Sequence, residues 1–144
     1  MSRIRITIPH PLSFSTLIPV RITDLNYGGH VGNDTVLTYI HEARVQFLQH
    51  HGYSEMAFEG VSLIMADVGI EFKSETFYGD EIRAFIGAAE FSSVGFNLYY
   101  KLVKSSDEAL VALAKTGMVC FDYSSRKVVR LPQLAIRKLE AEGI

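Results

Sequence analysis

The apolar residues of this 144-residue chain change their spacing twice, and that change constrains the fold more than any other feature. From Leu12 to Ile22, the residues Phe14, Ile18, Val20 and Ile22 fall on even positions. This is the two-residue period of a half-buried strand, and Pro19 within it points to a sheet edge. From Asn33 to His50, Val36, Tyr39, Ile40, Ala43 and Phe47 recur at steps of three and four, as on one face of a helix. Asn33 or Asp34 is the expected N-cap and Gly52 the expected stop. The two-residue period then returns. Ile64, Ala66, Val68, Ile70 and Phe72 are expected on one strand face, with Asp67, Glu71 and Lys73 on the other. Three more strands follow, from Ile82, from Val94 and from Ala109 to Tyr123. Turns are expected at Tyr78-Gly79-Asp80, Ser92-Ser93 and Ser105-Ser106-Asp107. A short hairpin is expected around Ser124-Ser125-Arg126, and Pro132 opens a small terminal helix.

One strand, one long helix, four strands and a small helix describe an α+β fold with a mostly antiparallel sheet. One helix buried against a strongly curved sheet fits this order, and residues 1–144 are expected to form one domain. In the last long strand Leu110, Ala112 and Ala114 oppose Val111 and Leu113. Such a strand needs cover on both faces or a partner chain.

Composition excludes several classes. At 48% hydrophobic and 21% charged residues the chain is too apolar for disorder. A formal charge of −2 gives no general electrostatic ground for binding nucleic acid or an anionic membrane. No apolar run approaches the ~18 residues of a membrane span. The basic N-terminus lacks the apolar stretch of a signal peptide. Cys120 is the single cysteine, and His10, His50 and His51 lack ligand spacing, so no metal is expected. A reducing, cytoplasmic setting follows as the expectation.

Chemistry concentrates in Asp24-Leu25-Asn26-Tyr27-Gly28-Gly29-His30-Val31-Gly32-Asn33-Asp34. Backbone N–H groups at a helix start are unpaired, and the helix dipole adds partial positive charge. Glycines let another molecule approach that backbone, so Gly28, Gly29, Val31 and Asn33 are candidates for binding a carbonyl oxygen. An ordinary glycine-rich turn reads the same way. Asp24 offers a base, Asn26 an orienting amide and His30 a group that titrates near neutrality. Asp24 and Asn26 equally suit the capping of local turns. On the helix, Glu42 is a second carboxylate, and Arg44 suits a helix ion pair.

The stretch from Arg21 to Asn33, the helix Tyr39-Ile40-His41-Glu42-Ala43-Arg44, and Val68-Gly69-Ile70-Glu71-Phe72-Lys73 before Tyr78-Gly79-Asp80 resemble the hotdog-fold acyl-CoA thioesterases. The 4-hydroxybenzoyl-CoA thioesterase branch is the most similar. The resemblance implies a homodimer, often a dimer of dimers, with the substrate cleft between protomers. It implies that the thioester carbonyl lies at the helix N-terminus near Gly29, His30 and Val31. The acyl group would enter between helix and sheet, and coenzyme A, as part of the substrate, would lie along the surface; no separate cofactor is implied. The branch's usual catalytic aspartate falls on Asn26, which is no carboxylate base. Asp24 or Glu42 is then expected to activate water that Asn26 orients. Hydration of an enoyl thioester is a second reading, since Asp24-x-Asn26-x-x-x-His30 is similar to that group's signature, though one residue longer and without its proline. A non-catalytic acyl-thioester-binding dimer is a third, motivated by Asn26.

Overall fold

A computed structural model describes residues 2–142. Its elements are β1 (Phe14–Pro19), a 3-10 turn (Ile22–Asp24), α1 (Asn33–His50), β2 (Ser62–Phe72), β3 (Glu81–Ala89), β4 (Gly95–Lys104), β5 (Leu110–Asp122), β6 (Lys127–Val128) and α2 (Gln133–Glu142). The sheet order is β1-β3-β4-β5-β2, with the short β6 against β5, and every pair is antiparallel. This curved antiparallel sheet with a helix packed on it is the expected α+β hotdog arrangement. β1 is an edge strand, as Pro19 suggested, but it ends there. Ile22 lies beyond it in the 3-10 turn and is 64% exposed.

α1 packs chiefly on β1 and β3. Ile40, Ala43, Phe47 and Leu48 are fully buried in one cluster with Ile82, Ile86, Leu98, Tyr100 and Leu102. Each large side chain so buried contributes about 1.5–3 kcal/mol. The helix stops as the sequence suggests. Gly52 has φ +81, its N–H bonds the Gln49 carbonyl, and the Tyr53 N–H bonds the Leu48 carbonyl. That paired closure demands a left-handed residue, which glycine adopts without strain. At the other end the N-cap is Gly32, not Asn33 or Asp34, and both of those lie in the first turn.

β2 departs from simple alternation. Met65 pairs with Met118 and Asp67 with Gly117, leaving Ala66 as a bulge. A bulge inserts one residue and shifts the face of all that follow. Leu63 and Met65 therefore share the helix side with Val68, Ile70 and Phe72, and Ile64 and Ala66 do not. β5, apolar on both faces, lies between β4 and β2 and offers no edge to a partner. The outer strands are β1 and β2, and on β2 Met65, Val68 and Phe72 are exposed.

The N-terminal arm crosses the outer face of the sheet. The Ile6 N–H donates to Glu71 at 2.8 Å, and His10 Nε2 lies 3.0 Å from the Ala88 carbonyl oxygen. A methyl group on Gly87 would stand 2.8 Å from Leu12 Cδ2, so this glycine makes room for the arm. No helix among the described residues is long and apolar enough to cross a membrane.

Candidate functional site

The loop before α1 closes on itself. The Asn26 N–H donates to the His30 carbonyl at 2.9 Å, and the Gly29 N–H to the Asn26 carbonyl at 3.0 Å. Gly29 sits at φ +83, so this turn requires glycine. The Asn26 side chain accepts the Gly28 N–H through Oδ1 at 2.9 Å, a local turn cap of the kind its residue type favours. The Val31 N–H reaches across to the Thr76 carbonyl at 2.9 Å and ties the loop to the β2–β3 connection.

These bonds revise the expected carbonyl-binding donors. Among the expected donors, the N–H groups of Gly28, Gly29 and Val31 are engaged inside the chain. At the helix start the Thr35 and Val36 N–H groups share the Gly32 carbonyl. Among the described residues no acceptor takes the N–H of His30, Asn33 or Asp34. The donors left for another molecule thus stand one, four and five residues after Gly29.

A cavity of about 350 Å³ opens beside them. His30 and Asn33 line it at the helix start, Val36, Phe72 and Val111 give it apolar walls, and Glu75 stands on its sheet side. His30 Nδ1 lies 3.1 Å from the Val31 carbonyl oxygen, and its Nε2 lies 3.7 Å from Glu75 Oε1. A larger cavity, about 570 Å³, lies beneath the N-terminal arm on the other face of the sheet. Glu90 there already accepts bonds from Tyr99 and Asn97, and no helix terminus faces it.

The structure separates the candidate carboxylates. Asp24 is 5% exposed. It accepts the Arg21 N–H at 2.9 Å, the Arg21 guanidinium at 3.2 Å and the Tyr39 hydroxyl at 2.8 Å. Burial alone would raise its pKa, but these bonds outweigh it and hold the carboxyl below its ordinary range. An acid so stabilised in its charged form is a poor proton acceptor. Burial and the adjacent Asp24 charge push the Tyr39 phenol well above its usual value. Glu42 lines a different cavity, with Leu17, Arg21, Thr38 and Gln46, and accepts the Gln46 amide at 2.6 Å. Within one chain, therefore, Asn26, His30 and Asn33 gather at the helix start, whereas Asp24 points into the packing and Glu42 stands apart. Among the described residues Arg44 makes no ion pair along the helix. It is buried and bonds Glu55 at 2.8 Å and the Tyr100 hydroxyl at 3.4 Å.

Two groups near the site escape a reading by residue pattern. Glu75 comes from the β2–β3 connection and shows no motif. Gly32 resembles any loop glycine, yet a methyl group on it would stand 2.6 Å from Asp34 Oδ1 and 3.8 Å from Asn26 Cβ.

The sequence profile described as "Thioesterase-like superfamily" matches residues 20–139, and the chain belongs to that family. Its fold is the hotdog, and solved structures of that fold include thioesterases. A presumed esterase of Aquifex aeolicus (strain VF5) is 25% identical over 123 residues, spanning 84% of this chain and 93% of that one. The crystal structure of a 1,4-dihydroxy-2-naphthoyl-CoA thioesterase from Synechocystis superposes with a TM-score of 0.80 at 23% identity, covering 88% of this chain and 94% of the other. A thioesterase from Thermus thermophilus, complexed with coenzyme A and Zn, gives 0.80 at 17% identity, covering 92% and 95%.

Proposed function

We propose that this protein hydrolyses an acyl-CoA thioester to the free acid and coenzyme A. One observation carries the reading: a cavity with one apolar wall and a polar rim opens at the first turn of α1, where the Asn33 and Asp34 N–H groups lack acceptors among the described residues. Val36, Phe72 and Val111 suit an acyl group. The free N–H groups of His30 and the first turn suit the carbonyl oxygen, where negative charge develops during attack. Asn26 keeps its Nδ2 donors available, because Oδ1 is taken by Gly28, and positions water or the thioester. The coenzyme A complex of one structural neighbour, and the CoA thioester named for another, support this substrate class.

The working unit in this reading is a homodimer, with a dimer of dimers as its extension. β2 is an outer strand carrying exposed Met65, Val68 and Phe72, and a second copy of this chain would cover it. Cys120 is fully buried and unpaired, which suits the reducing cytoplasm.

The test is a panel of acyl-CoAs, aromatic and aliphatic, with release of free thiol followed by a thiol reagent. Thiol release that saturates with substrate supports hydrolysis. Binding of acyl-CoA without thiol release points instead to the non-catalytic reading that Asn26 motivates. Light scattering at micromolar concentration tests the dimer, and a monomer there defeats it.

A further inference from the structure

Thioester hydrolysis needs a group that takes a proton from water, and the structure leaves that role open. Asn26 carries no charge, Asp24 is locked by three donors, Glu42 lines another cavity, and Glu75, in the cavity wall, faces the His30 ring at 3.7 Å. Resting on the thioesterase reading above, we infer that Asp34 supplies the carboxylate that Asn26 lacks, seated over Gly32 in the first turn of α1.

Three observations converge. A methyl group on Gly32 would meet Asp34 Oδ1 at 2.6 Å and Asn26 Cβ at 3.8 Å, so the carboxylate and the Asn26 side chain flank one spot. Gly32 has φ −73, a conformation open to any residue, so its lack of a side chain serves space and not backbone geometry. The Asp34 carboxylate makes no hydrogen bond among the described residues, and no side chain caps the helix. A first-turn aspartate serving only the fold would be expected to accept a backbone N–H; this one lies close to the helix start yet unspent.

The step balances without any co-reactant. Asp34 accepts one proton of a water whose oxygen attacks the thioester carbon. The carbonyl π electrons move onto oxygen, held by the N–H groups at the helix start. The tetrahedral species collapses, the C–S bond breaks, and the protonated Asp34 returns its proton to the departing sulfur. The products are the acid and the thiol.

The test uses benzoyl-CoA and hexanoyl-CoA with thiol detection, on the full chain. Asp34→Asn should lower kcat by about 100-fold or more, the usual size of a lost general base, with KM within about threefold. A helix-dipole role alone would shift stability and leave kcat near wild type. The double variant Asn26→Asp/Asp34→Asn moves the carboxylate to the other side of Gly32 and should recover at least about tenfold of the loss. Asp34→Asn within threefold of wild type overturns the assignment, as does a large loss for Glu75→Gln or Glu42→Gln beside an active Asp34→Asn. A wild type that releases no thiol from any CoA thioester defeats the hydrolase reading and this inference with it. Turnover by wild type and Asp34→Asn alike defeats Asp34 alone.

Discussion

Asp24 and Asp34 flank the same glycine-rich loop, and the structure uses them in opposite ways. Asp24 is buried with three donors on its oxygens, while Asp34 is exposed with none among the described residues. Burying a carboxylate is costly unless hydrogen bonds satisfy it, so Asp24 can exist only as part of the packing. Its bonds to Arg21 and Tyr39 join the turn after β1 to α1 and so hold the helix start where it is. Asp34 contributes nothing comparable to the fold and remains available to another molecule. A residue type that suggests chemistry is thus divided by its partners into one that builds the site and one that can act in it.

The largest expected effect that separates the two is on stability. Asp24→Asn should cost about 2–3 kcal/mol, because the amide loses charge-assisted bonds and presents buried donors to the Arg21 N–H and guanidinium. Asp34→Asn should stay within about 0.5 kcal/mol, as exposed substitutions usually do. Urea unfolding of both variants checks this. If Asp24→Asn keeps wild-type stability and loses turnover instead, the comparison is inverted and Asp24 is the base.

Removing one donor gives a smaller effect. Tyr39→Phe leaves Asp24 its two Arg21 bonds and should cost about 1–2 kcal/mol. The pH dependence follows from the lowered Asp24 pKa. A carboxyl depressed in the folded state stabilises fully above its unfolded value and loses that contribution as pH falls through the folded one. The advantage of wild type over Asp24→Asn should therefore be constant above about pH 5 and shrink from about pH 4 downward. A gap that widens in acid would mean the carboxyl is not held in its charged form.

Much of this was legible in the sequence, and the illegible parts have physical causes. The period change located the sheet and α1 because one face of each element is buried. The bulge at Ala66 was hidden because Leu63 and Met65 are as apolar as Ile64 and Ala66, so either register satisfies the pattern. The loop Gly28–Asn33 marked the site, but which N–H groups stay free depends on the Thr76 carbonyl, brought there only by the fold. Asn26 could be seen as a missing carboxylate. That Asp34 shares the space over Gly32 with it could not, since only the turn at Gly32 brings both side chains near that spot.

A small change in stability, and one that is not a loss, is expected at Gly32, and it sharpens the comparison most. A methyl group there displaces only the end of the Asp34 side chain, which can rotate into solvent. The backbone is already in a region alanine accepts, and alanine restricts the unfolded chain, worth about 0.4–1 kcal/mol in favour of folding. Gly32→Ala should therefore leave stability unchanged or raise it by up to about 1 kcal/mol. Turnover should fall with it, because the carboxylate is pushed from its place beside Asn26 while its charge is retained. Measured together, denaturation and thiol release then give a stable protein with a lower kcat. A Gly32→Ala variant with wild-type kcat would mean that the seat over Gly32 has no part in the reaction, and the contrast between the two aspartates would shrink to one of burial alone.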